Sequence, residues 1–327
     1  MSGDAGAVSV AVHIGPGERA VRLEADAREG LLGSPKTLPP TWFYDERGSQ
    51  LFDDITRLEE YYPTRAERSI LTAYADEIVA VADCDVLVEL GSGASDKTLL
   101  LLDAMARRDG LASIVPFDVS EEFLRLAAHE VAARYGVPVH AVVGDFHRHL
   151  STIPTEGSRL VAFLGGTIGN LRPHERRRFY ADLDVTMGYR DRFLLGVDLV
   201  KPVERLVAAY DDASGVTAAF NRNVLSVLNR ELGADFDPTA FEHRAVWNDA
   251  ERWIEMRLRS STRQKVRVEG LDTWIEFGEG EELLTEISAK FDLDRITEEL
   301  WAGGFVVDQC WTDPAGDFAL ILSRPYC

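Results

Sequence analysis

Between about Arg65 and Lys201, short apolar runs alternate with longer segments whose apolar residues recur at helical spacing. The apolar runs predict strands at Asp85–Leu90, Ser113–Phe117, Val139–Val143, Leu160–Leu164 and Arg192–Val197. The longer segments predict helices at Glu67–Ala82, Asp96–Arg108, Glu121–Tyr135 and Pro173–Met187. Because strands alternate with helices, the pattern predicts parallel βαβ units in an open, doubly wound sheet, which is an α/β fold.

The pattern changes in the C-terminal part of the chain. Pro202–Leu232 is mostly helical in its spacing, whereas Phe241–Phe277 alternates apolar and polar residues as strands do. The second segment therefore predicts an antiparallel insertion rather than another βαβ unit. A helix at Leu293–Trp301 and strands at Phe305–Trp311 and Phe318–Ser323 then predict a hairpin that closes the parallel sheet.

The first 40 residues are interrupted by Gly and Pro, with one short amphipathic piece at Glu24–Leu32, and predict a loosely ordered start. They lack the basic segment followed by an apolar segment that marks a secretory signal. No apolar run in the sequence approaches the ~18 residues of a membrane span. These observations predict a cytoplasmic protein with no membrane partner.

The composition is that of a globular protein, with 46% hydrophobic and 28% charged residues among 327, enough for one large domain or two packed ones. The 35 basic and 55 acidic residues give a net charge of −20. Nucleic-acid binding depends on Lys and Arg that neutralise phosphates. The densest basic stretch, Arg176–Arg178, is best explained as a solvated helix face. The charge therefore argues against a nucleic-acid partner and favours a small or cationic substrate.

No metal site is predicted. The three cysteines, Cys84, Cys310 and Cys327, include no CxxC pair, so neither a disulfide framework nor a zinc knuckle is indicated. His147 and His149 lie two residues apart in a segment expected to be helical, where their rings would point apart as a solvated surface pair.

A glycine-rich turn follows the first predicted strand, with the sequence ELGSGASDKT from Glu89 to Thr98. Ligands of doubly wound sheets bind beyond the carboxyl ends of the strands, so this turn is a candidate binding site. Asp96 replaces the last glycine of both the P-loop and the dinucleotide fingerprint. Its carboxylate would repel phosphates, and the turn therefore disfavours nucleoside triphosphates and dinucleotides.

S-Adenosylmethionine carries no phosphate, and acidic side chains suit its cationic groups. Glu89-x-Gly91-x-Gly93 has the E/DxGxG form, in which two glycines let the backbone approach a ligand closely. The adjacent Lys97 could hold the carboxylate of this molecule. Each feature also has a purely structural explanation: a glycine-rich turn can simply reverse the chain, and an acidic strand end can cap a helix.

Two further strand ends carry side chains that suit the same ligand. Asp118, at the end of the second strand, could accept hydrogen bonds from two ribose hydroxyls. Asp145 and Phe146, after the third strand, could bind the adenine amino group and stack on its ring. Three successive strand ends in the right order predict S-adenosylmethionine as the cofactor.

Candidate acceptor residues lie elsewhere in the chain. Asn170 follows the fourth strand in the turn GGTIGN and could bind an amine, although an Asn in a left-handed turn is the alternative. Tyr61 and Tyr62 are a pair of phenols just before a predicted helix. Glu286 and Ser288 are two residues apart in a predicted strand and share a face, so both side chains could bind one polar ring. An exposed strand face would give the same pattern.

Several long segments closely resemble the ergothioneine-pathway L-histidine Nα-methyltransferase family. They are WFYDERGSQLFDDITRLEEYYPTR (Trp42–Arg65), VELGSGASDKT, FLGGTIGNL, AYDDASGVTAAFNRNVLSVLNREL, LLTEISAKF and TDPAGDFAL. The resemblance runs from about Leu31 to Leu322, with departures at Glu59, Gly166 and Ala289. It implies a Rossmann-like class I methyltransferase domain at 65–198 and 290–327. It also implies a second, α+β substrate-binding domain at 14–64 and 199–289.

The resemblance also implies the reaction, which is trimethylation of the α-amino group of L-histidine to hercynine, the first step of ergothioneine biosynthesis. Asn170 and the Gly165 backbone would bind the amine, with Asn170 and Tyr61 as the catalytic residues. Tyr61 and Tyr210 would bind the carboxylate, and Glu286 and Ser288 the imidazole. The pocket would be lined by Tyr44, Phe52 and Met256.

The implied partners are L-histidine, its mono- and dimethyl intermediates, and S-adenosylmethionine, which leaves as S-adenosylhomocysteine. The alternative is Nα-methylation of another amino acid or small amine on the same scaffold. A non-catalytic, macromolecule-binding member is the third class considered. The sequence does not determine the oligomeric state, and a monomer is the starting hypothesis.

Overall fold

The computed structural model describes residues 6–92 and 97–326. Its α-helices are α1 Pro16–Leu32, α2 Glu46–Arg57, α3 Pro63–Ala82, α4 Thr98–Arg107, α5 Glu121–Tyr135, α6 Pro173–Thr186, α7 Val203–Tyr210, α8 Val216–Leu232 and α9 Leu293–Ala302. Its first strands are β1 Val8–Val12, β2 Lys36–Thr37, β3 Val86–Leu90, β4 Ser113–Asp118, β5 Val139–Val143, β6 Arg159–Phe163 and β7 Arg192–Asp198. The later strands are β8 Phe241–Asn248, β9 Trp253–Ser260, β10 Gln264–Val268, β11 Thr273–Phe277, β12 Glu282–Ala289, β13 Phe305–Thr312 and β14 Phe318–Pro325.

The described residues form two compact units. Unit 1 comprises residues up to Gly15, Arg65–Leu199 and the chain from Phe291 onward. Unit 2 comprises Pro16–Thr64 and Val200–Lys290. Each unit has its own hydrophobic core.

Unit 1 is built on a sheet with the strand order β1-β5-β4-β3-β6-β7-β14-β13. In the run β1-β5-β4-β3-β6-β7 all neighbouring strands are parallel. β14 is antiparallel to both of its neighbours, β7 and β13. Every residue of β3 is buried, as expected for a parallel strand with helices on both faces of its sheet. The predicted α/β fold with a doubly wound sheet and a closing hairpin is confirmed.

The strand order reverses direction at β3, which lies between β4 and β6. From β3 the chain moves to β4 and β5 on one side, and later to β6 and β7 on the other. The carboxyl ends of these parallel strands lie at one edge of the sheet. Such a reversal point opens a crevice in which doubly wound proteins bind ligands.

The predicted loosely ordered start is wrong for the described residues. β1 pairs in parallel with β5, from Val8 opposite Val139 to Val12 opposite Val143. Pro16 then begins the 17-residue helix α1, where its fixed φ and missing N–H are tolerated. β1 is mostly exposed or half-buried, so its sequence carries little apolar signal. As the edge strand of the sheet, β1 is held by its backbone pairing with β5 and by partial packing of Val8 and Val10 against the core.

Unit 2 contains a four-stranded sheet with the order β2-β12-β9-β8 and a separate β10-β11 hairpin. The pairs β8–β9, β9–β12 and β10–β11 are antiparallel, which confirms the predicted antiparallel insertion. Side chains from α1, α2, α7 and α8 share its core with this sheet, among them Leu23, Leu51, Leu206, Phe220 and Leu228.

A buried ion pair joins β6 to the segment before β7. The guanidinium of Arg159 donates to Asp191 Oδ2 at 2.5 and 3.0 Å, and the Arg159 backbone N–H donates to Asp191 Oδ1 at 2.7 Å. Both side chains are less than 5% exposed. Removing one partner would leave the other charge buried and uncompensated.

We expect Asp191→Ala to lower the free energy of unfolding by about 3–5 kcal/mol, because Arg159 keeps its buried charge without its carboxylate partner. Denaturant unfolding followed by circular dichroism measures this change. Asp76→Ala is the control, since it removes an exposed pair with Arg107 and should cost less than about 1 kcal/mol. Equal effects of the two substitutions would contradict the prediction.

Candidate functional site

Glu89 lies one residue before the end of β3 and is buried in unit 1. The hydroxyl of Thr98, the first residue of α4, donates to its carboxylate. Burial raises the pKa of Glu89 to about 8, although Thr98 and the charge of Lys97 oppose the rise. Glu89 lies at the reversal point of the sheet, where burial disfavours the charged form of its carboxyl group.

The turn after Glu89 is open and holds an unsatisfied hydroxyl. The N–H groups of Gly91 and Ser92 donate to the carbonyl of Phe117 at 2.8 and 3.2 Å, so the turn bends over the end of β4. Gly91 has a φ of +71°, and a Cβ there would meet no atom within 4 Å. Ser92 Oγ is buried and has no hydrogen-bond partner among the described residues. The turn thus has room and an orphaned polar atom for a ligand, while Gly93 lies outside the described residues.

Acidic side chains occupy the two neighbouring strand ends. Asp118 pairs opposite Val143 at the end of β4, and its Oδ1 accepts the Ser120 N–H at 2.9 Å. Asp145 follows β5 and is buried, with Oδ1 accepting the His147 N–H at 2.9 Å. Both carboxylates are oriented by backbone amides.

Phe146 is half-buried beside Asp145. Its ring packs edge-on against Phe163 at 5.2 Å and Phe179 at 5.9 Å between centroids. Two core aromatics therefore fix its orientation. Glu89, Gly91, Asp118, Asp145 and Phe146 all lie at the strand-end edge where the sequence predicts a cofactor.

The expectation of a helical, solvated histidine pair is wrong. His147 and His149 lie in a turn after β5, and both are half-buried. His149 Nδ1 accepts the Asp145 N–H at 3.1 Å, and its ring stacks on His13 at 5.9 Å. The His149 ring therefore links the backbone of Asp145 to His13. Within the described ranges, no group of three His, Cys, Asp or Glu side chains is arranged to bind a metal.

Glu67 is a buried residue of this region that sequence reasoning missed. Its carboxylate forms an ion pair with Lys97 and accepts the Gly165 N–H at 2.8 and 3.0 Å. Its side chain is fully buried, and a Cβ at Gly196 would lie 2.3 Å from Glu67 Oε1. A lone Glu in a helix gives no sequence signal for such a role. Lys97 is therefore ion-paired, and the N–H of Gly165 is already bonded to Glu67.

Asn170 ends a short 3-10 turn, Thr167–Asn170, that follows β6. Gly165 and Gly166 take the positive φ values of this loop, and Asn170 does not, so the left-handed-turn alternative is wrong. Arg176 is fully buried, so the expectation of a solvated helix face is wrong for this residue. Its guanidinium donates to the carbonyl of Leu171, the residue after Asn170, at 2.7 Å. This bond fixes the backbone beside Asn170.

In unit 2, Glu286 and Ser288 lie on one face of β12, with Met256 of β9 directly opposite Glu286. All three side chains are buried, so the exposed-face alternative is wrong. The register shifts at Thr285, which is the extra residue of a bulge. Its hydroxyl oxygen lies 2.7 Å from Asn221 Oδ1 and 2.9 Å from the Met256 carbonyl oxygen, and its single proton is donated to one of them. The bulge therefore sets which β12 residues face Met256.

A continuous set of aromatic rings lies in the same unit. Tyr44 contacts Phe52 edge-on at 5.7 Å, Phe52 contacts Tyr61 at 6.3 Å, and Tyr61 contacts Tyr210 at 6.2 Å. Phe220 of α8 packs against both Tyr44 and Phe52, and sequence reasoning missed it. As an apolar residue in a segment expected to be helical, Phe220 gave no sign in the sequence of a place in the site. The four predicted aromatic positions are thus brought into one cluster.

Polar contacts join this aromatic cluster to β12. The Tyr210 and Ser288 hydroxyl oxygens are 2.7 Å apart, and Lys290 Nζ donates to both, at 2.8 and 2.9 Å. His243 Nε2 donates to the Tyr210 carbonyl at 2.7 Å while its Nδ1 accepts from Asn221. Burial lowers the pKa of His243, which suits this neutral tautomer. The backbone and the hydroxyl of Tyr210 are therefore both held.

Glu286 is the acidic group of this cluster. Burial raises its pKa to about 7, and the charge of Lys290 opposes the rise. Its carboxylate can therefore change its protonation state near neutral pH. An anionic oxygen at this position can accept a hydrogen bond from a ring N–H.

Comparison with known proteins places these residues in a family. The profile of histidine-specific, SAM-dependent methyltransferases matches residues 23–325. Histidine N-alpha-methyltransferase of Mycolicibacterium smegmatis is 54% identical over 97% of this chain and 99% of that protein. Ergothioneine biosynthesis protein 1 of Neurospora crassa is 32% identical over 61% of this chain and 23% of that protein. L-tryptophan methyltransferase of Psilocybe serbica is 28% identical over 92% of each chain. The chain belongs to the histidine-specific, S-adenosylmethionine-dependent methyltransferase family.

Proposed function

We propose that this enzyme transfers three methyl groups from S-adenosylmethionine to the α-amino group of L-histidine, giving hercynine, as the first step of ergothioneine biosynthesis. The observation that carries the proposal is the buried face of Glu286, Ser288 and Met256 in unit 2, beside Tyr210. The names of the Mycolicibacterium and Neurospora relatives support the same reaction.

The residues at the strand-end edge of unit 1 fit S-adenosylmethionine. The open turn at Gly91 and the orphaned Ser92 hydroxyl leave space and a hydrogen-bonding group for it. Asp118 would accept from its ribose hydroxyls, and Asp145 and Phe146 would hold its adenine. When bound, this molecule supplies an electrophilic methyl group on a sulfonium.

The protein must present the α-amino nitrogen as a free base. An α-amino group with a pKa near 8 is largely protonated at neutral pH, and it must lose a proton before each of the three transfers. Each transfer forms an N–C bond, breaks the C–S bond and leaves a neutral thioether. Asn170 and the Gly165 carbonyl would orient the amine, and hydroxyls such as that of Tyr61 would pass its protons to water. Positioning of the two reactants would supply most of the rate enhancement.

The polar groups of unit 2 suit an imidazole ring. A neutral imidazole has one N–H donor and one acceptor nitrogen. Glu286 would accept from the N–H, and Ser288 Oγ would lie beside the ring while it shares a proton with Tyr210. Tyr61 and Tyr210 would hold the carboxylate, with Tyr44, Phe52 and Met256 around the ring.

A second candidate is Nα-methylation of another amino acid on the same scaffold. The similarity to an L-tryptophan methyltransferase favours this candidate. Glu286 argues against it, because a buried carboxylate would lie beside a mostly apolar ring with one N–H.

No helix in the described ranges is long and apolar enough to span a bilayer. Cytoplasmic localisation and a monomeric state remain predictions.

The direct test is mass spectrometry of the purified enzyme with S-adenosylmethionine and each of the twenty amino acids in turn. A gain of three methyl groups on histidine alone is expected, because only histidine has the imidazole ring that Glu286 and Ser288 would bind. Turnover of a different amino acid, with none of histidine, would replace this proposal by the second candidate.

The pH dependence of Glu286→Gln tests the imidazole contact. Because the pKa of Glu286 is raised to about 7, its carboxylate is anionic above that pH and protonated below it. We expect wild type to exceed Glu286→Gln in kcat/KM for histidine by about 100-fold at pH 9, and by much less at pH 6. The ratio cancels the titration of the substrate itself. A ratio that does not change with pH would refute an ionised Glu286 in binding.

Asn170→Ala tests the amine contact. We expect kcat/KM for histidine to fall by roughly 100-fold, because the amine loses an orienting group. The affinity for S-adenosylhomocysteine, measured by calorimetry, should stay within threefold and serves as the control for folding. Full activity of Asn170→Ala would exclude this residue from the reaction.

A further inference from the structure

Lys290 is a fully buried cation that neither the sequence predictions nor the proposed reaction uses. It follows Ser288 by two residues, and its backbone N–H still pairs with the Arg252 carbonyl at 2.9 Å. Glu286, Ser288 and Lys290 therefore continue along one face of the extended chain. The ammonium also lies 4.6 Å from the centre of the Tyr210 ring.

Hydrogen counting shows what Lys290 does to the two hydroxyls beside it. An ammonium has only donors, so Tyr210 Oη and Ser288 Oγ both accept from Lys290 Nζ. The bond between the two oxygens uses one hydroxyl proton. At most one of the two hydroxyl protons can then point toward a substrate. The pair acts as one polarised donor, and a cation behind it strengthens that donor.

The balance of buried charges in unit 2 also points to a role for Lys290. Glu286 and Lys290 are buried charges of opposite sign in unit 2. An amino-acid substrate brings a carboxylate, which is costly to bury without a positive group close by. Lys290 behind the Tyr210 hydroxyl is placed to offset that charge, although its own burial keeps it from solvent.

We propose that Lys290 is a positioning residue that makes the enzyme select amino acids with a free carboxylate, acting through the Tyr210–Ser288 hydroxyl pair. The proposal rests on the proposed function and adds a specificity determinant to it. Lys290 works through Tyr210, so its loss should weaken substrate binding more than it slows the methyl transfer.

The test compares L-histidine with L-histidinamide, which keeps the amine and the imidazole but has no carboxylate. Initial methylation rates are measured for wild type, Lys290→Met and Lys290→Arg. We expect Lys290→Met to raise KM for L-histidine roughly 10- to 100-fold, with kcat changed less than threefold. The kcat/KM for L-histidinamide should change less than threefold. Lys290→Arg should recover part of the loss because it keeps the charge.

Lys265→Met is the matched control, because Lys265 is an exposed lysine of the β10-β11 hairpin. Thermal unfolding and S-adenosylhomocysteine affinity verify that each variant is folded. If Lys290→Met does not fold, Lys290→Gln replaces it, since an amide still donates without a charge. An unchanged KM for L-histidine, or equal losses for both substrates, would overturn the proposal. Wild type that does not methylate histidine would instead refute the proposed function.

Discussion

Buried charge needs a partner, and this requirement organises both units. In unit 1 the fully buried Glu67 holds Lys97 and the Gly165 amide, which joins α3, the N-cap of α4 and the loop after β6. An unpaired carboxylate there would cost several kcal/mol, so these segments are fixed relative to one another. The same constraint explains Gly196, where any side chain would collide with the Glu67 carboxylate. The loop that carries Asn170 is thereby anchored at its start.

In unit 2 a network of neutral groups fixes the residues around the buried Lys290 and Glu286. His243 and Asn221 fix the carbonyl of Tyr210 and the hydroxyl of Thr285, so α7, α8, β8 and β12 share one network. Thr285 is the bulge residue that turns Glu286 toward Met256. A fully satisfied network of this kind holds a buried polar site in one arrangement. The orientation of the substrate groups therefore depends on residues that touch no substrate.

Much of the fold was predictable because hydrophobic periodicity reports burial. The parallel strands of unit 1 are apolar at nearly every position, and strands such as β10 and β11 in unit 2 alternate, so both patterns were visible. β1 was missed because it is mostly exposed or half-buried and gives little apolar signal, although it pairs with β5 along its whole length. His149 was misjudged because its partners, the His13 ring and the Asp145 N–H, are contacts that no local period reveals.

The sequence by itself determined the α/β fold, the order of the strand ends and the chemical types of the candidate site residues, since these depend on local pattern and motif. Only the tertiary structure decided which of those residues are buried together and what neutralises them. Glu67 and Lys290 show the difference, because a lone Glu or Lys in the sequence looks like a solvated charge. Their roles arise from partners 30 and 80 positions away, Lys97 and Tyr210, and distant contacts of this kind are decided by packing.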